Sequence, residues 1–463
     1  MITFNDPVAS WLVRLRPLPR ILFVLFGAVL IHLSLGTYHT FGNMLPYLAS
    51  YLRNHTDPEV KIEHLMWIPT FQGCFPFAMI IGGFLSMKLG PRLAAAIGCY
   101  TMASGVFLSY FTIKMSYGLF LITYGFMFGL GQGIAYVVAV ASVINWAPDK
   151  IGLVSGIVAA GFGLSSSIFA PIQTRMINPE NKAASTDGYF TDEHLINRVP
   201  DTFKTLSLVY FIMQTIGLIF ICDPPAEAKR KLSINDDDTT GLITCSADIE
   251  ADESDDDLHT IKPQPISLRP SEVLKSSTFY WLFIALFCCS FYGNLFYNLY
   301  KTFGETFIED DMFLAIAFSI GTIANAAARI GWGLLTDKTS FQVALSSASC
   351  LATALLLTMP LTAALGKYMY LLWLIMMFIC LAATHALFIT AAVRCFGTQY
   401  KATNYGCLIL STTLSGILLS VSTSSLLSII GYNWAFIISA AFPFTAFVIT
   451  SAIRVTPQGH LII

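Results

Sequence analysis

Long apolar runs separated by short polar stretches dominate the sequence. A helix of about 20 apolar residues crosses the hydrocarbon core of a bilayer, and twelve runs approach or exceed that length. The runs cover residues 20–49, 65–87, 92–112, 117–146, 151–173, 204–222, 278–302, 311–335, 342–362, 367–394, 402–427 and 432–453. The pattern predicts an all-α membrane protein with about twelve transmembrane helices.

A polar stretch at residues 223–277 separates the first six runs from the last six. It contains acidic runs at 236–238 and 253–257 and several prolines, a composition typical of a disordered linker. The sequence "GFLSMK" at 83–88 is repeated as "GLLTDK" at 333–338, at the end of the second run of each half. We therefore predict five parts, comprising an N-terminal segment (1–19), a six-helix half (20–222), an acidic cytoplasmic linker (223–277), a second pseudo-symmetric half (278–453) and a tail (454–463).

Composition supports a membrane protein and excludes several other classes. Only 12% of the 463 residues are charged, against about 25% in soluble domains. The net charge of −2 gives no indication of a nucleic-acid partner. We find no Walker loop, no H-E-x-x-H, no metal-spaced Cys/His set and no catalytic triad. The chain is therefore expected to be neither an enzyme nor a holder of a cofactor or metal.

The distribution of basic residues predicts the orientation. Lys and Arg are more numerous in the loops on the side of the N-terminus, which favours cytoplasmic N- and C-termini. Lys301 is counted with the outside loops in this scheme. The sequon Asn54-His55-Thr56 falls in the first outside loop and is the predicted glycosylation site. A plasma membrane is favoured over an organelle on this basis.

Three segments carry a resemblance to a known family. The stretch "GTYHTFGNMLPYL" (36–48), the helix–loop–helix at 129–171 and "CFGTQYKATNYG" (395–406) resemble the monocarboxylate transporter and oxalate–formate antiporter branch of the major facilitator superfamily. The resemblance implies two six-helix halves, alternating access and a small organic anion as substrate. It also implies that the repeated motif holds an inner gate, although Met87 replaces the usual Asp of the first copy. The gate residues would be Gly83, Lys88, Arg92, Gly333, Asp337 and Lys338.

Arg329 lies inside the eighth apolar run and is the main candidate for binding substrate. It is about 12 Å from the cytoplasmic end at 1.5 Å per residue. A charge at that depth is costly unless it faces protein, water or a partner. Gly321, Asn325, Arg329 and Gly333 are four residues apart and share one helix face. The alternative is a structural arginine bonded to backbone carbonyls.

The surroundings of Arg329 favour an anionic substrate. The resembled family usually has an Asp one turn earlier, where this chain has Asn325. No Asp or Glu lies well inside a run, and Glu305 and Asp310 are near outer ends. Gly42-Asn43-Met44 also lacks the lysine that monocarboxylate members carry late in the first helix. A single cation favours a monoanion or a zwitterion over a dicarboxylate.

Polar and aromatic residues in other runs complete the predicted site. A tyrosine combines an apolar wall with one hydroxyl, and histidine is the remaining proton carrier if transport is proton-coupled. The alternative for each is a core or interfacial role. Arg329 and Asn325 are joined in the predicted substrate site by seven further candidates. These are Tyr38, His39, Gln132, Tyr136, Tyr292, Tyr297 and His385.

Three functional hypotheses remain open at this point. The first is a secondary transporter of a small monocarboxylate or organic anion. The second keeps the fold and makes the substrate a zwitterionic or neutral metabolite such as an amino acid. The third is a non-transporting sensor or scaffold that signals through the linker. The expected partners are the substrate and the lipid bilayer, and no accessory membrane protein is identified.

Overall fold

The computed structural model describes residues 6–73, 75–147, 151–185, 187–225, 268–396 and 401–452. These residues are largely helical, and no β-strand occurs within those ranges. Eleven stretches among them are long and apolar enough to cross a membrane. The last, Asn404–Ala452, contains Gly431 at φ 71° and ψ 171°, where two helices meet at a bend. It counts as two spans, which confirms the predicted all-α architecture.

The spanning helices are numbered α1 to α12 in chain order. The first six are α1 (Pro17–Thr56), α2 (Ile62–Leu89), α3 (Pro91–Thr112), α4 (Tyr117–Trp146), α5 (Ile151–Ile177) and α6 (Arg198–Phe220). The next four are α7 (Ser277–Glu305), α8 (Asp311–Lys338), α9 (Phe341–Thr358) and α10 (Lys367–Phe396). Helix α11 and the start of α12 lie in Lys401–Ser439 on either side of Gly431, and α12 continues as Ala441–Ala452.

Helix α1 is interrupted in its middle by a tighter turn. The 3₁₀ segment Gly36–Thr40 joins Pro17–Leu35 to Phe41–Tyr51. A Cβ on Gly36 would overlap the carbonyl oxygen of Phe162 in α5, and one on Gly42 would overlap that of Tyr297 in α7. Glycine therefore lets α1 touch α5 of its own half and α7 of the other half.

The two ends of the helix bundle differ in how the halves meet. We name the end where α1 begins the terminal end, and the opposite one, where α7 ends and α8 begins, the distal end. Within the described ranges, the hydrogen bonds recorded between the halves lie in the distal half of the bundle. They join Asn43, Tyr47, Asn178 and Asn181 to α7 and α8, and residues 63–70 to Gly416, Ser420 and Ser424. The conformation is thus closed at the distal end.

The predicted disordered linker is described only at its edges. Residues 226–267 lie outside the described ranges. The amide of Leu268 donates to the carbonyl of Phe396, and Pro270–Val273 forms a short helix before α7. The part of the linker next to α7 is therefore folded onto the C-terminal half.

We predict that Gly36→Ala destabilises the protein. The added methyl overlaps a backbone oxygen, so α1 and α5 must separate, at a cost of about 1–3 kcal/mol. Thermal unfolding in detergent would show a lower midpoint than wild type. Gly156→Ala in α5 is the matched control, because a Cβ there meets nothing within 4 Å. Equal midpoints for the two variants would contradict the close approach of α1 and α5.

Candidate functional site

Arg329 occupies α8 about 27 Å from Asp311 along the helix axis, taking 1.5 Å per residue. Its Nε donates to Oδ1 of Asn325 at 3.1 Å, and Nδ2 of Asn325 donates to the carbonyl of Phe378 in α10 at 2.7 Å. Asn325 is buried. Its role is therefore to brace Arg329 against α10 through the Nε group.

The guanidinium of Arg329 has no acidic partner in the part of the chain that the structure describes. The ion pairs recorded there, within 4.0 Å, do not include Arg329. Its Nη2 lies 3.9 Å from the position that a Cβ on Gly163 of α5 would take. The side chain is only partly buried. Arg329 thus carries a positive charge to the boundary between the halves, and no carboxylate of the described ranges lies within 4.0 Å of it.

Aromatic residues from both halves surround this charge. The ring of His39 stacks on Tyr297 with centroids 5.2 Å apart, and Tyr38 lies 5.1 Å from His39. Arg329 also interacts electrostatically with one residue from each of four other helices. These residues are His39 of α1, Tyr136 of α4, Tyr297 of α7 and Tyr405 of α11. We call Tyr38, His39, Tyr136, Tyr297, Arg329 and Tyr405 the central cluster. All six are partly buried, so each retains some solvent access in this conformation.

Helix α4 contributes two of the predicted residues. The ring of Tyr136 lies 4.6 Å from His32 and 5.4 Å from Phe162. Gln132, one turn earlier, is fully buried, and neither polar atom of its amide has a hydrogen-bond partner in the protein. A buried amide without a partner is costly, so this position suits a bound water or a polar group of a ligand.

One predicted site residue, Tyr292, is not brought to the central cluster, and another, His385, lies outside the description of side chains. Tyr292 is 1% exposed, and its recorded neighbours include Cys289 and Cys380 within the C-terminal half. That environment matches the alternative reading of a core tyrosine. His385 belongs to α10, and its side chain lies outside the described part.

Of the predicted gate residues in the first half, Arg92 ties elements of its own half together. Arg92 pairs with Asp6 at 2.8 Å and donates to the carbonyls of Leu218 and Ile219, each at 3.0 Å. Lys88 is exposed and lies 4.4 Å from the ring of Phe84, and a Cβ on Gly83 would meet nothing within 4 Å. In the second copy of the motif, at 333–338, Lys338 is exposed. The side-chain surroundings of Gly333 and Asp337 are not among the described features.

Lys301 corrects the orientation count made from the sequence. It was placed in an outside loop, but α7 continues to Glu305 and Lys301 is fully buried. Its ammonium pairs with Asp311 Oδ1 at 2.6 Å and donates to Tyr47 Oη at 2.9 Å and Asn43 Oδ1 at 3.1 Å. The first helix lacks the lysine that monocarboxylate members carry. Here Lys301 of α7 brings an ammonium group to Asn43 of that helix.

Asp311 completes this arrangement from the start of α8. It is 2% exposed and accepts hydrogen bonds from Tyr47 and, at 2.6 Å, from Nδ2 of Asn178 in the loop after α5. We name Asn43, Tyr47, Asn178, Lys301 and Asp311 the distal network. It joins both halves, and its charges cancel within the pair. The sequence analysis placed Glu305 and Asp310 near the outer ends of their runs, and the structure agrees. It did not predict that the carboxylates of Glu305 and Asp311 are buried.

The loop between α5 and α6, unexplained by the sequence, covers the distal network. The ring of Phe190 stacks on Tyr47 at 4.9 Å, and Asn181 donates to Asp310 and accepts from the amide of Met312. Lys182 pairs within the loop with Glu180 and Asp192, and the adjacent carboxylate of Asp192 raises the pKa of Lys182. The loop therefore ties the N-terminal half to the start of α8.

One sequence signal could have revealed the distal network. Lys301 and Glu305 are four residues apart, so they share a face of α7 and project toward the same neighbours. Asp311 opens the next run only six residues later. The sequon Asn54 lies exposed at the same end of the bundle.

Comparison with known proteins places this geometry in a family. Residues 24–419 match the Major Facilitator Superfamily. The chain is 26% identical over 445 residues to apicoplast pyruvate carrier 1 of Toxoplasma gondii, covering 82% of this chain and 79% of the relative. It is 25% identical over 374 residues to the oxalate:formate antiporter of Oxalobacter formigenes, covering 80% and 77%. Monocarboxylate transporter 10 of Danio rerio is 23% identical over 40% of this chain and 33% of its own length.

Solved structures show the same fold at low identity. A D-xylose-proton symporter superposes with a TM-score of 0.65 at 11% identity, covering 93% of this chain and 96% of that one. A POT family transporter in complex with 5-aminolevulinic acid gives 0.64 at 14% identity, covering 93% and 94%. The resemblance to the monocarboxylate and oxalate–formate branch is confirmed. The chain belongs to the Major Facilitator Superfamily and is a multi-pass membrane transporter rather than an enzyme.

Proposed function

We propose that the protein carries a small monocarboxylate, or a similar organic anion, across a membrane by alternating access. The observation that carries this proposal is the unpaired charge of Arg329 at the boundary between the halves. A guanidinium at that depth is stabilised by an anion, and a carboxylate matches its two parallel donors. Because Asn325 already holds Nε, the two Nη groups are available for the carboxylate.

The chemistry of the central cluster favours a small substrate with one carboxylate. Tyr38, Tyr136 and Tyr297 offer apolar walls and single hydroxyls around Arg329. A second cation exists in the interface, but the charge of Lys301 is cancelled by Asp311. Among the described residues of this interface, one cation without an acidic partner therefore meets one carboxylate, and a dicarboxylate would bring an uncompensated charge. The names of the relatives, which refer to pyruvate, oxalate and formate, agree with a short carboxylic acid.

Alternating access follows from the asymmetry of the two ends. The distal network holds the halves together at one end, while the central cluster retains some solvent access. Substrate would then reach Arg329 from the terminal end in this conformation. Release on the other side requires the distal network to separate as the halves rock. We place the terminal end in the cytoplasm and favour the plasma membrane, because Asn54 is exposed at the distal end.

We predict that Arg329→Gln strongly weakens anion transport. Losing a charge-assisted contact of about 1.5–3 kcal/mol lowers affinity by roughly 10- to 150-fold. Counterflow in proteoliposomes with labelled lactate, pyruvate, formate and oxalate measures the effect. Lys204→Gln, which removes an exposed cation from α6, is the control and should transport at the wild-type rate.

Two results would contradict the anion site. Carboxylate uptake that survives in Arg329→Gln would make the arginine structural. Saturable uptake of an amino acid, but of no carboxylate in the panel, would replace the organic anion with a zwitterion. A protein that transports none of these compounds, and whose linker deletion abolishes a cellular signal, would support the sensor hypothesis instead.

We predict that Asn325→Asp raises the KM for the substrate about tenfold or more. The new carboxylate would stand beside Arg329, where the amide oxygen is now 3.1 Å from Nε, and would compete with the substrate for its charge. Initial rates of uptake over a range of concentrations give the KM. Asn54→Asp makes the same chemical change at an exposed position and should leave the KM unchanged. An unaltered KM in Asn325→Asp would argue against direct binding by Arg329.

We predict that the distal end carries an N-glycan when the protein is made in a eukaryotic cell. Asn54→Gln should then increase gel mobility by one glycan, and glycosidase treatment of wild type should give the same shift. A sequon inserted within residues 226–267, on the terminal side, serves as the internal control and should stay unmodified. Modification of the inserted sequon, with none at Asn54, would reverse the proposed orientation.

A further inference from the structure

Glu305 is a buried acid that the proposed site does not use. It is 5% exposed at the distal end of α7, and neither carboxyl oxygen has a hydrogen-bond partner among the described residues. Its nearest cation is the ammonium of Lys301, at 4.0 Å. An isolated ionised carboxylate in such a place is strongly disfavoured unless donors or an unshared cation compensate it.

Lys301 is held by groups that lie nearer to it than Glu305 does. Its ammonium is 2.6 Å from Asp311 Oδ1 and donates hydrogen bonds to Tyr47 at 2.9 Å and Asn43 at 3.1 Å. Glu305 Oε1, at 4.0 Å, is beyond hydrogen-bond distance from this ammonium. The charge of Lys301 is likewise balanced by Asp311. An ionised Glu305 would therefore add a second negative charge to a pair that is already neutral.

The other titratable groups around Glu305 do not supply a positive charge. Lys301 and Asp311 act on it electrostatically, the one attracting and the other repelling its ionised form. Tyrosines from α1, α7, α10 and the start of α12 also interact with it, and each is neutral at ordinary pH. They are Tyr47, Tyr300, Tyr370 and Tyr432. Among the described residues, the surroundings thus favour the neutral acid in this conformation.

We propose that Glu305 is a proton-binding site, occupied when the distal end is closed and emptied when it opens. Opening separates the halves at the distal network and admits water to Glu305, which stabilises the carboxylate. Closing removes that water and requires one proton on the carboxyl oxygen. The proton therefore favours the closed distal end, and low pH shifts the population toward it. This inference needs the distal end to open, as the proposed function does, but it does not depend on the substrate.

The first test is infrared spectroscopy of the purified full-length protein during a pH titration. A protonated carboxyl group absorbs separately from a carboxylate. The wild type should show such a band at neutral pH, and Glu305→Gln should lose it. Glu59→Gln, which alters an exposed glutamate at the same end, should keep it. A spectrum that is the same in wild type and Glu305→Gln would overturn the proposal.

The second test is hydrogen–deuterium exchange of the distal segments at several pH values, corrected for the intrinsic rates. Peptides covering 41–51 and 298–312 should become more protected in the wild type as the pH falls. Glu305→Gln imitates the protonated acid, so it should be protected at every pH. Glu305→Met, similar in size and also neutral, serves if the first variant does not fold. A pH response that is absent in the wild type, or equal in wild type and variant, would overturn the coupling.

Failure of the proposed function would look different. A wild type that shows the carboxyl band and the pH-dependent protection, but transports no carboxylate, would count against the anion substrate and leave the proton site standing. A wild type that transports carboxylates but shows neither the carboxyl band nor the pH-dependent protection would support the anion substrate and rule out the proton site.

Discussion

The structure depends on the burial of one ammonium group between its two halves. Lys301 is fully buried, donates hydrogen bonds to two residues of α1 and forms an ion pair with one residue of α8. Removing either charge of a buried pair leaves the other uncompensated, at a cost of about 3–5 kcal/mol. The contacts of α1, α7 and α8 at this end are therefore strongly coupled. A gate built in this way has two well-separated states rather than a continuous range of openings.

The interface contains two cations with opposite environments, and this difference divides their roles. Lys301 is paired with Asp311 and hydrogen-bonded to Asn43 and Tyr47, so it holds the distal end together. Arg329 is braced only by Asn325 and, among the described residues, has no carboxylate within ion-pair distance. A residue whose charge is satisfied by the protein serves the fold, whereas one left unsatisfied is suited to a ligand.

Helix α1 connects the two environments. Its 3₁₀ turn carries Tyr38 and His39 toward Arg329, and the helix that follows carries Asn43 and Tyr47 to the distal network. The turn is possible because Gly36 allows close approach to α5. The proposed substrate site and the distal network therefore both contact a single interrupted helix, which gives a physical route for coupling the proposed binding to the proposed opening.

The sequence by itself determined the all-α membrane architecture and singled out Arg329 as a candidate, because apolar periodicity and the cost of a charge in a bilayer are local properties. It also identified Tyr38, His39, Tyr136 and Tyr297, through helix position and family resemblance. It did not reveal the distal network, since Lys301, Glu305 and Asp311 lie near helix ends, where charges are usually solvated. Only the tertiary structure buries them, because the loop after α5 and the distal part of α1 close over that end. The sequence analysis placed Tyr292 in the site, but the structure buries it inside the C-terminal half. Packing within one half is not encoded in a local pattern, so the sequence did not reveal it.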